Sequence, residues 1–319
     1  MLYLLPFSMN GYILTLIGVI LSFALTVILT AALRPLLPAD IGRAYAVNAQ
    51  AAKGKPRGAG IIFVTAACAM LLVFTRLSTE SLIYTVLILA AMLSGFLDDA
   101  SKAPWSEYKK GLIDLFISIA IAFTCFEFNG SVITLPFLSR TAAIPAWLYI
   151  LLGTLLVWTS INVVNCTDGV DGLCSLLSLI SLGGFLYAVK ALSADFAPQI
   201  LIFAAAIAGY FLFNAGPSIL LMGDAGSRAI GVFLAICALR SGAPLLFIPL
   251  CLVFIIDGGL GLIKVALLRF LKIRILANTR TPIHDHVRKN MGWSDTHTVI
   301  RFSVIHLLIV FIFLYLMFD

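Results

Sequence analysis

Charged side chains are scarce in this sequence of 319 residues: Asp, Glu, Lys and Arg together make up 11% of it, whereas hydrophobic residues make up 61%. This composition excludes an ordinary soluble domain. Apolar runs long enough to cross a bilayer recur, and they are apolar on all sides rather than alternating, which favours helices over a barrel. We therefore predict an all-α integral membrane protein that forms a single domain over residues 1–319.

Paired cysteines, linkers and repeats are also lacking. The six cysteines form no Cys-x-x-Cys pair and lie in or beside apolar runs, so neither a disulfide framework nor a zinc site is expected. Met1 to Asn10 lacks the basic start of a cleavable signal peptide, and we expect the first span to remain. Membrane topology accounts for most of the net charge of +6, and a basic cytoplasmic face also favours anionic lipid headgroups. No nucleic acid partner is therefore expected.

Apolar segments predict about ten transmembrane helices. Their expected ranges are 11–33, 59–77, 81–97, 111–128, 146–164, 172–192, 198–215, 228–240, 243–270 and 298–318. The 21 Lys and Arg residues fall mostly in the odd-numbered connections; the exceptions are Arg76, Arg140, Lys190 and Arg240 in even connections and Lys264 within a span. The positive-inside rule then predicts both termini outside and the odd connections in the cytoplasm.

The densest group of oxygen ligands follows the fifth span. The segment 162–172 contains two amides, a hydroxyl and two carboxylates: Asn162, Asn165, Thr167, Asp168 and Asp171. Residues three apart face the same side of a helical turn, so Asn162 pairs with Asn165 and Asp168 with Asp171. A capped helix junction is the plain alternative, but capping needs only one such residue. The segment therefore predicts a ligand site.

Two other odd connections carry carboxylates. Asp98 and Asp99 end the third span; adjacent carboxylates persist most easily beside a cation or as proton acceptors, although a solvated helix end is the alternative. Asp224 lies between Gly223 and Gly226, with Ser227 expected to cap the next span. That arrangement suits binding of Mg²⁺, Mn²⁺ or a pyrophosphate. The alternative is a re-entrant turn whose carboxylate is incidental.

Basic residues and histidines mark the remaining odd connections. Lys53, Lys55 and Arg57 alternate with glycines, which suits a diphosphate or lipid phosphate as well as a plain positive-inside anchor. His284 and His286 have no third ligand at zinc spacing, which favours contacts to substrate phosphate.

The ninth span contains two ionisable residues and adjacent glycines. Asp257 lies within the span and is a functional candidate, because ionisable groups at membrane depth are costly. Lys264 follows two helical turns later and is expected to contact a separate polar partner. Gly258 and Gly259 predict a bend.

Taken together, these motifs resemble those of the polyprenyl-phosphate N-acetylhexosamine-1-phosphate transferases. They run in the family's order: Leu97-Asp98-Asp99 with Lys102; Asn162 to Gly172; Phe213-Asn214 to Pro217; Met222-Gly223-Asp224 to Ser227; and Pro282-x-His284-x-His286. Within that superfamily, the ending from Pro282 through Gly292-Trp293 to Phe302 is similar to the phospho-N-acetylmuramoyl-pentapeptide transferases.

The resemblance implies a Mg²⁺-dependent enzyme of the bacterial cytoplasmic membrane, commonly a homodimer. It would transfer phospho-N-acetylmuramoyl-pentapeptide from its UDP-linked donor to undecaprenyl phosphate, which gives lipid I and UMP in peptidoglycan synthesis. Asp224 would hold the metal, Asp98 would accept a proton from the lipid phosphate or position it, and Asp99 would share the metal or polarise Asp98. His284 would offset the negative charge that develops during the reaction. The implied substrate-binding residues are Lys102, Asn162, Asn165, Asp168, Asp171, Asn214 and His286.

The sequence departs from the family pattern at several positions, and other functions stay open. Lys55 and Arg57 stand where the family carries threonines, Asp285 is the middle residue of a usual histidine triplet, and Asp257 replaces a usual Glu. The alternatives are transfer of N-acetylglucosamine-1-phosphate, an ion-coupled transporter and a lipid-binding scaffold without catalysis. One direct displacement and a two-step route through an aspartyl-phosphate are both compatible with these residues.

Overall fold

The computed structural model describes residues 10–40, 53–101, 103–138, 140–192 and 195–318, and it is mostly helical. The helices are α1 (Gly11–Leu33), α2 (Gly60–Phe74), α3 (Thr79–Asp99), α4 (Glu107–Asn129), α5 (Ala146–Thr167), α6 (Leu173–Ala191), α7 (Ala197–Asn214), α8 (Gly223–Arg240), α9 (Pro244–Leu250), α10 (Leu252–Leu271), α11 (Ile283–Asn290) and α12 (Asp295–Phe318). Each predicted span overlaps one of these helices or the α9–α10 pair.

Seven helices in the described ranges are long and apolar enough to cross a membrane, and α9 with α10 would make an eighth. The helix α2 has only 15 residues, and α8 carries Asp224, Arg228 and Arg240 in its 18 residues. The described part of the chain is therefore mostly helical, with seven or eight apolar helices able to span a membrane.

The helix α8 lies at the centre of the bundle. Every residue from Gly223 to Leu239 is buried, and α8 packs against α2, α3, α4, α5 and α6. Small residues allow close approach: a Cβ on Gly231 would come within 2.6 Å of the Ile161 Cα, and the Ser160 hydroxyl donates to the Gly231 carbonyl at 2.6 Å.

The eighth span differs from its prediction at the start. Helix α8 begins at Gly223 rather than near 228, which places Asp224 in its first turn. Ser227 is consequently inside the helix, where its hydroxyl donates to the Gly223 carbonyl at 3.0 Å, and it is not the cap that we expected. A carboxylate in the first turn of a helix is stabilised by the helix dipole.

The ninth span is broken, but not at its glycines. Helices α9 and α10 are bent by 71° at Cys251, two residues after Pro249, which has no backbone N–H to donate. Gly258 and Gly259 lie beyond the break, in a π-helical turn over Ile255–Gly259. The prediction of a bend was correct, and its predicted position was wrong.

A two-stranded hairpin was not predicted. Strands β1 (Val132–Leu135) and β2 (Arg140–Ala143) pair antiparallel between α4 and α5. The Thr134 amide also donates to the Gly242 carbonyl, which follows α8, at 2.7 Å. The hairpin therefore lies at the end of the bundle where α4 and α8 terminate.

Candidate active site

Two ion pairs fix which helix ends meet. Lys110 contacts Asp224, and one helical turn further Asp114 contacts Arg228. Because both pairs advance in the same direction along α4 and α8, the two helices run parallel and start at the same end of the bundle. Lys110 also contacts Asp98, so the C-terminus of α3 lies at that end too.

Three carboxylates converge there around two cations, an arrangement that we call the acidic cluster: Asp98, Asp99, Asp224, Arg57 and Lys110. The Lys110 Nζ contacts Asp98 Oδ2 and lies 3.0 Å from Asp224 Oδ2. The Arg57 guanidinium lies 2.7 Å from Asp99 Oδ1 and 3.4 Å from Asp224 Oδ1. Each cation therefore bridges two carboxylates of the acidic cluster, one of them Asp224.

Backbone groups complete the acidic cluster. The Trp105 amide donates to Asp98 Oδ1 at 2.7 Å, and the Ala225 amide donates to Asp99 Oδ2 at 3.1 Å. Gly223 has a φ of +73°, and a Cβ there would come 2.2 Å from Asp99 Oδ2. Gly223 is thus required both by its left-handed conformation and by the approach of Asp99.

Arg57 stays charged in this environment. Burial alone would lower its pKa, but the charges of Asp99 and Asp224 and hydrogen bonds to Asp40 and Asp99 raise it overall. Its Nη1 atom donates to Asp40 Oδ2 at 2.9 Å, which anchors the loop before α2.

The segment 162–172 splits into residues that face the acidic cluster and residues that shape the turn. Asn165 Nδ2 donates to the Ser227 hydroxyl at 2.9 Å, which ties α5 to the first turns of α8. Asp171 Oδ2 lies 3.3 Å from Lys55 Nζ and accepts from the Ser218 amide at 3.0 Å. The Asn162 side-chain Nδ2 donates to the Trp158 carbonyl of its own helix at 2.8 Å.

Asn214 acts on the same turn from the end of α7. Its Oδ1 accepts from the Gly172 amide at 3.0 Å, its Nδ2 donates to the Leu220 carbonyl at 3.3 Å, and the residue is 4% exposed. Asn214 therefore supports the backbone around Gly172, which has a φ of +85°.

Asp168 follows the last residue of α5 and is half-buried. Burial raises its pKa to about 7; the positive charge of Arg57 opposes this, while Asp224, Asp99 and Asp171 add to it. Asp168 is thus electrostatically coupled to the acidic cluster and titrates close to neutral pH.

The connection after α10 reaches the same segment. His284 is 2% exposed and is held by Asp257, and Arg288 Nη1 donates to the Gly169 carbonyl at 3.2 Å. His286 Nδ1 accepts from the Arg280 amide at 3.3 Å. Lys264 donates to the carbonyls of Leu276 and Thr279, so it contacts partners separate from those of Asp257, as expected.

Comparison with known proteins identifies the family. The sequence profile of glycosyl transferase family 4 matches residues 81–242. The chain is 37% identical over 289 residues to the phospho-N-acetylmuramoyl-pentapeptide-transferase of Treponema pallidum (strain Nichols), which covers 84% of this chain and 80% of that protein. The chain belongs to the phospho-N-acetylmuramoyl-pentapeptide transferase family.

Other relatives carry the same name. The phospho-N-acetylmuramoyl-pentapeptide-transferase of Borrelia hermsii (strain HS1 / DAH) is 31% identical, covering 71% of this chain and 72% of that protein. The one from Wolbachia sp. subsp. Drosophila simulans (strain wRi) is 27% identical, covering 80% and 82%. Together with the apolar helices, this membership makes the chain a bacterial integral membrane protein.

The donor set fits Mg²⁺ in part. Within the described ranges no group of three or more His, Cys, Asp or Glu residues is arranged to hold a metal ion. Mg²⁺, however, is usually bound by one or two carboxylates, with water and substrate phosphates completing its shell. Asp224 offers two carboxylate oxygens at the start of a helix, one beside Arg57 and one beside Lys110. Both cations are on long side chains that could bind phosphate groups instead. The residues present therefore fit a metal that arrives with a diphosphate.

Three cations of this family member were not assigned from the sequence. Lys55 contacts Asp171. Arg57 contacts Asp99 and Asp224, and Lys110 contacts Asp98 and Asp224. Their alternation with glycines gave a signal for Lys55 and Arg57, but the same pattern is typical of a membrane anchor. Lys102, a predicted substrate contact, lies outside the described residues.

Proposed function

We propose that the protein transfers phospho-N-acetylmuramoyl-pentapeptide from its UDP-linked donor to undecaprenyl phosphate, releasing UMP and forming lipid I. The observation that carries this proposal is the acidic cluster, which combines three carboxylates with two cations at the ends of apolar helices. Phosphoryl transfer depends mainly on positioning and charge neutralisation, and the acidic cluster supplies both. The family membership names the matching activity.

In this mechanism the lipid phosphate attacks the β-phosphorus of the donor, and UMP leaves. Asp98 positions the lipid phosphate or takes its proton, and Lys110 brings positive charge to the reacting phosphates. Arg57 offsets the repulsion between Asp99 and Asp224 while the donor binds. Mg²⁺ held by Asp224 would neutralise the diphosphate when bound.

The turn at 162–172, which lies beside the acidic cluster, holds the donor. Asn165, Asp168 and Asp171 face the start of α8 and the loop of Lys55, and we assign them to the nucleotide and sugar phosphate. We assign Asn162 as a further contact, whereas Asn214 supports the turn from the end of α7 by accepting from the Gly172 amide. We assign His284 and His286, in the connection after α10, to the phosphates as well, and Lys102, which lies outside the described residues, stays a predicted contact.

The proposed topology places ten spans in the bilayer, both termini outside and the acidic cluster on the cytoplasmic side. The support is the accumulation of Lys and Arg in the connections at that end of the bundle. The family resemblance also supports a homodimer; a single-chain mass for the purified protein in mild detergent would contradict it.

One assay tests the activity. Purified protein is incubated with UDP-N-acetylmuramoyl-pentapeptide, with or without undecaprenyl phosphate, and with Mg²⁺ or EDTA, and UMP is measured. We expect UMP only when donor, lipid and Mg²⁺ are all present. A parallel reaction with UDP-N-acetylglucosamine separates the two donor classes. Uptake of a donor into vesicles without UMP release would instead favour a transporter.

A further inference from the structure

A buried carboxylate and histidine lie beside the turn that we assign to the donor. Asp257 is 0% exposed and His284 2% exposed, and they make two contacts. The His284 backbone amide donates to Asp257 Oδ1 at 2.7 Å, and the His284 Nδ1 lies 2.7 Å from Asp257 Oδ2. Both oxygens of one carboxylate thus hold one residue, which fixes its backbone and its ring together.

The helix around Asp257 is shaped for this contact. Asp257 lies in the π-helical turn Ile255–Gly259, and such turns inside α-helices are frequent at functional sites. The next residue, Gly258, packs so tightly on α5 that a Cβ would come 2.5 Å from the Val163 carbonyl oxygen. The turn is therefore anchored to the helix that leads into the segment 162–172.

The other ring nitrogen faces that segment. A Cβ on Gly169 would come 2.3 Å from His284 Nε2, so only glycine allows the ring to take this position. The Asp285 Oδ1 atom lies 3.7 Å from Nε2, beyond hydrogen-bond distance. Because a carboxylate only accepts, the Nδ1 proton points to Asp257 and Nε2 is left to face the site.

We infer that Asp257 is a positioning residue for His284: it orients the ring and holds the proton on Nδ1, so that Nε2 faces the substrate beside Gly169. Asp257 itself touches no substrate in this arrangement. This inference rests on the proposed transferase function. It adds Asp257, a buried residue of the ninth span, to the residues that position the site.

The Asp257→Asn variant tests the inference. Its amide would donate to Nδ1 rather than accept from it, so the proton on Nδ1 and the carboxylate that orients the ring would both be lost. We expect kcat to fall at least about 10²-fold, with the donor KM changed less than about threefold, since a comparable tautomer inversion in a Ser-His-Asp hydrolase costs about 10⁴-fold in kcat. Asp257→Glu, which keeps a carboxylate, should recover part of the loss.

A second variant moves the ring from the opposite side. Gly169→Ala should displace His284 and lower kcat without altering its tautomer. Ser181→Ala is the matched control, because Ser181 lies 2.9 Å from another buried histidine, His306, away from the site. It should leave kcat unchanged.

A spectroscopic readout separates this inference from the function itself. In protein labelled with ¹⁵N-histidine, and assigned with His284→Gln, we expect the His284 Nδ1 to be protonated in the wild type and unprotonated in Asp257→Asn. An unprotonated Nδ1 in the wild type overturns the inference, even if the variants do not fold. Wild-type activity with kcat retained in Asp257→Asn, or a loss confined to KM, overturns it as well. Absence of UMP release by the wild type would instead contradict the proposed function.

Discussion

At the scale of single residues, Asp224 occupies the most connected position of the acidic cluster. Arg57 and Lys110 each bridge it to a second carboxylate, Asp99 or Asp98. Asp98 and Asp99 end a helix, where the dipole disfavours negative charge, so these cations offset both the dipole and the mutual repulsion. The same cations are available to neutralise phosphate once a substrate enters.

Asp224→Asn and Asp98→Asn should each abolish most UMP release while the protein still inserts and purifies as a folded species. We expect at least about a 10²-fold loss in kcat, the usual effect of removing one charge-stabilising group. Asp195→Asn is the control, since Asp195 is exposed and lies between α6 and α7, at the other end of the bundle. Retention of most activity in either cluster variant would remove that residue from the mechanism.

Asp168 should make folding stability depend on pH. Its pKa is raised from 3.8 to about 7, so between about pH 4 and pH 7 the folded state binds more protons at this site than the unfolded state. Stability from this group is therefore greatest at low pH and is lost as the pH rises towards 7. Tm measured from pH 5 to pH 8 should fall more for the wild type than for Asp168→Asn. Parallel curves for the two proteins would be the contrary result.

At the scale of elements, α4 and α8 are held in register by two successive ion pairs. Lys110 with Asp224 belongs to the site, and Asp114 with Arg228 lies one turn deeper among buried residues. The deeper pair contributes no group to the acidic cluster. The Asp114–Arg228 pair fixes the position of α8 along α4, and this determines where Asp224 lies relative to Asp98.

Removing one member of the deeper pair should destabilise the protein more than removing both. Asp114→Ala leaves the Arg228 charge buried without its partner, and we expect a loss of about 3–5 kcal/mol. The double variant Asp114→Leu with Arg228→Leu buries apolar groups instead and should lie nearer the wild type in unfolding free energy. Denaturant unfolding in detergent micelles measures both. Equal losses in the single and double variants would contradict a dominant charge effect.

At the scale of the whole molecule, orientation in the membrane can be tested with introduced cysteines. Ala103→Cys lies in the connection after α3, at the acidic-cluster end, and Asp195→Cys lies in the connection after α6, at the opposite end. A membrane-impermeant maleimide applied to intact cells should label Asp195→Cys, and Ala103→Cys only after permeabilisation. The six native cysteines are buried or partly buried, so a wild-type control defines the background. The reverse labelling pattern would invert the proposed topology.

Hydrophobic run length and motif spacing by themselves determined much of this protein. Span positions follow from the length of apolar helix that a bilayer requires, so each predicted span overlaps a helix or the α9–α10 pair. The carboxylates of the odd connections stood out because charge is scarce in this chain. Local pattern was thus enough for the membrane class, the family and the candidate acidic residues.

Tertiary structure alone decided which charges meet. Arg57, Lys110 and Asp257 come from separate connections and spans, and their partners are far away in the sequence, at Asp99, Asp224 and His284. Helix packing decides such pairs, because it brings distant residues within a few ångströms and removes the water that would otherwise screen them. For the same reason the start of α8 and the break at Cys251 departed from the predicted positions: packing and backbone hydrogen bonding, rather than hydropathy, set where a buried helix begins and bends.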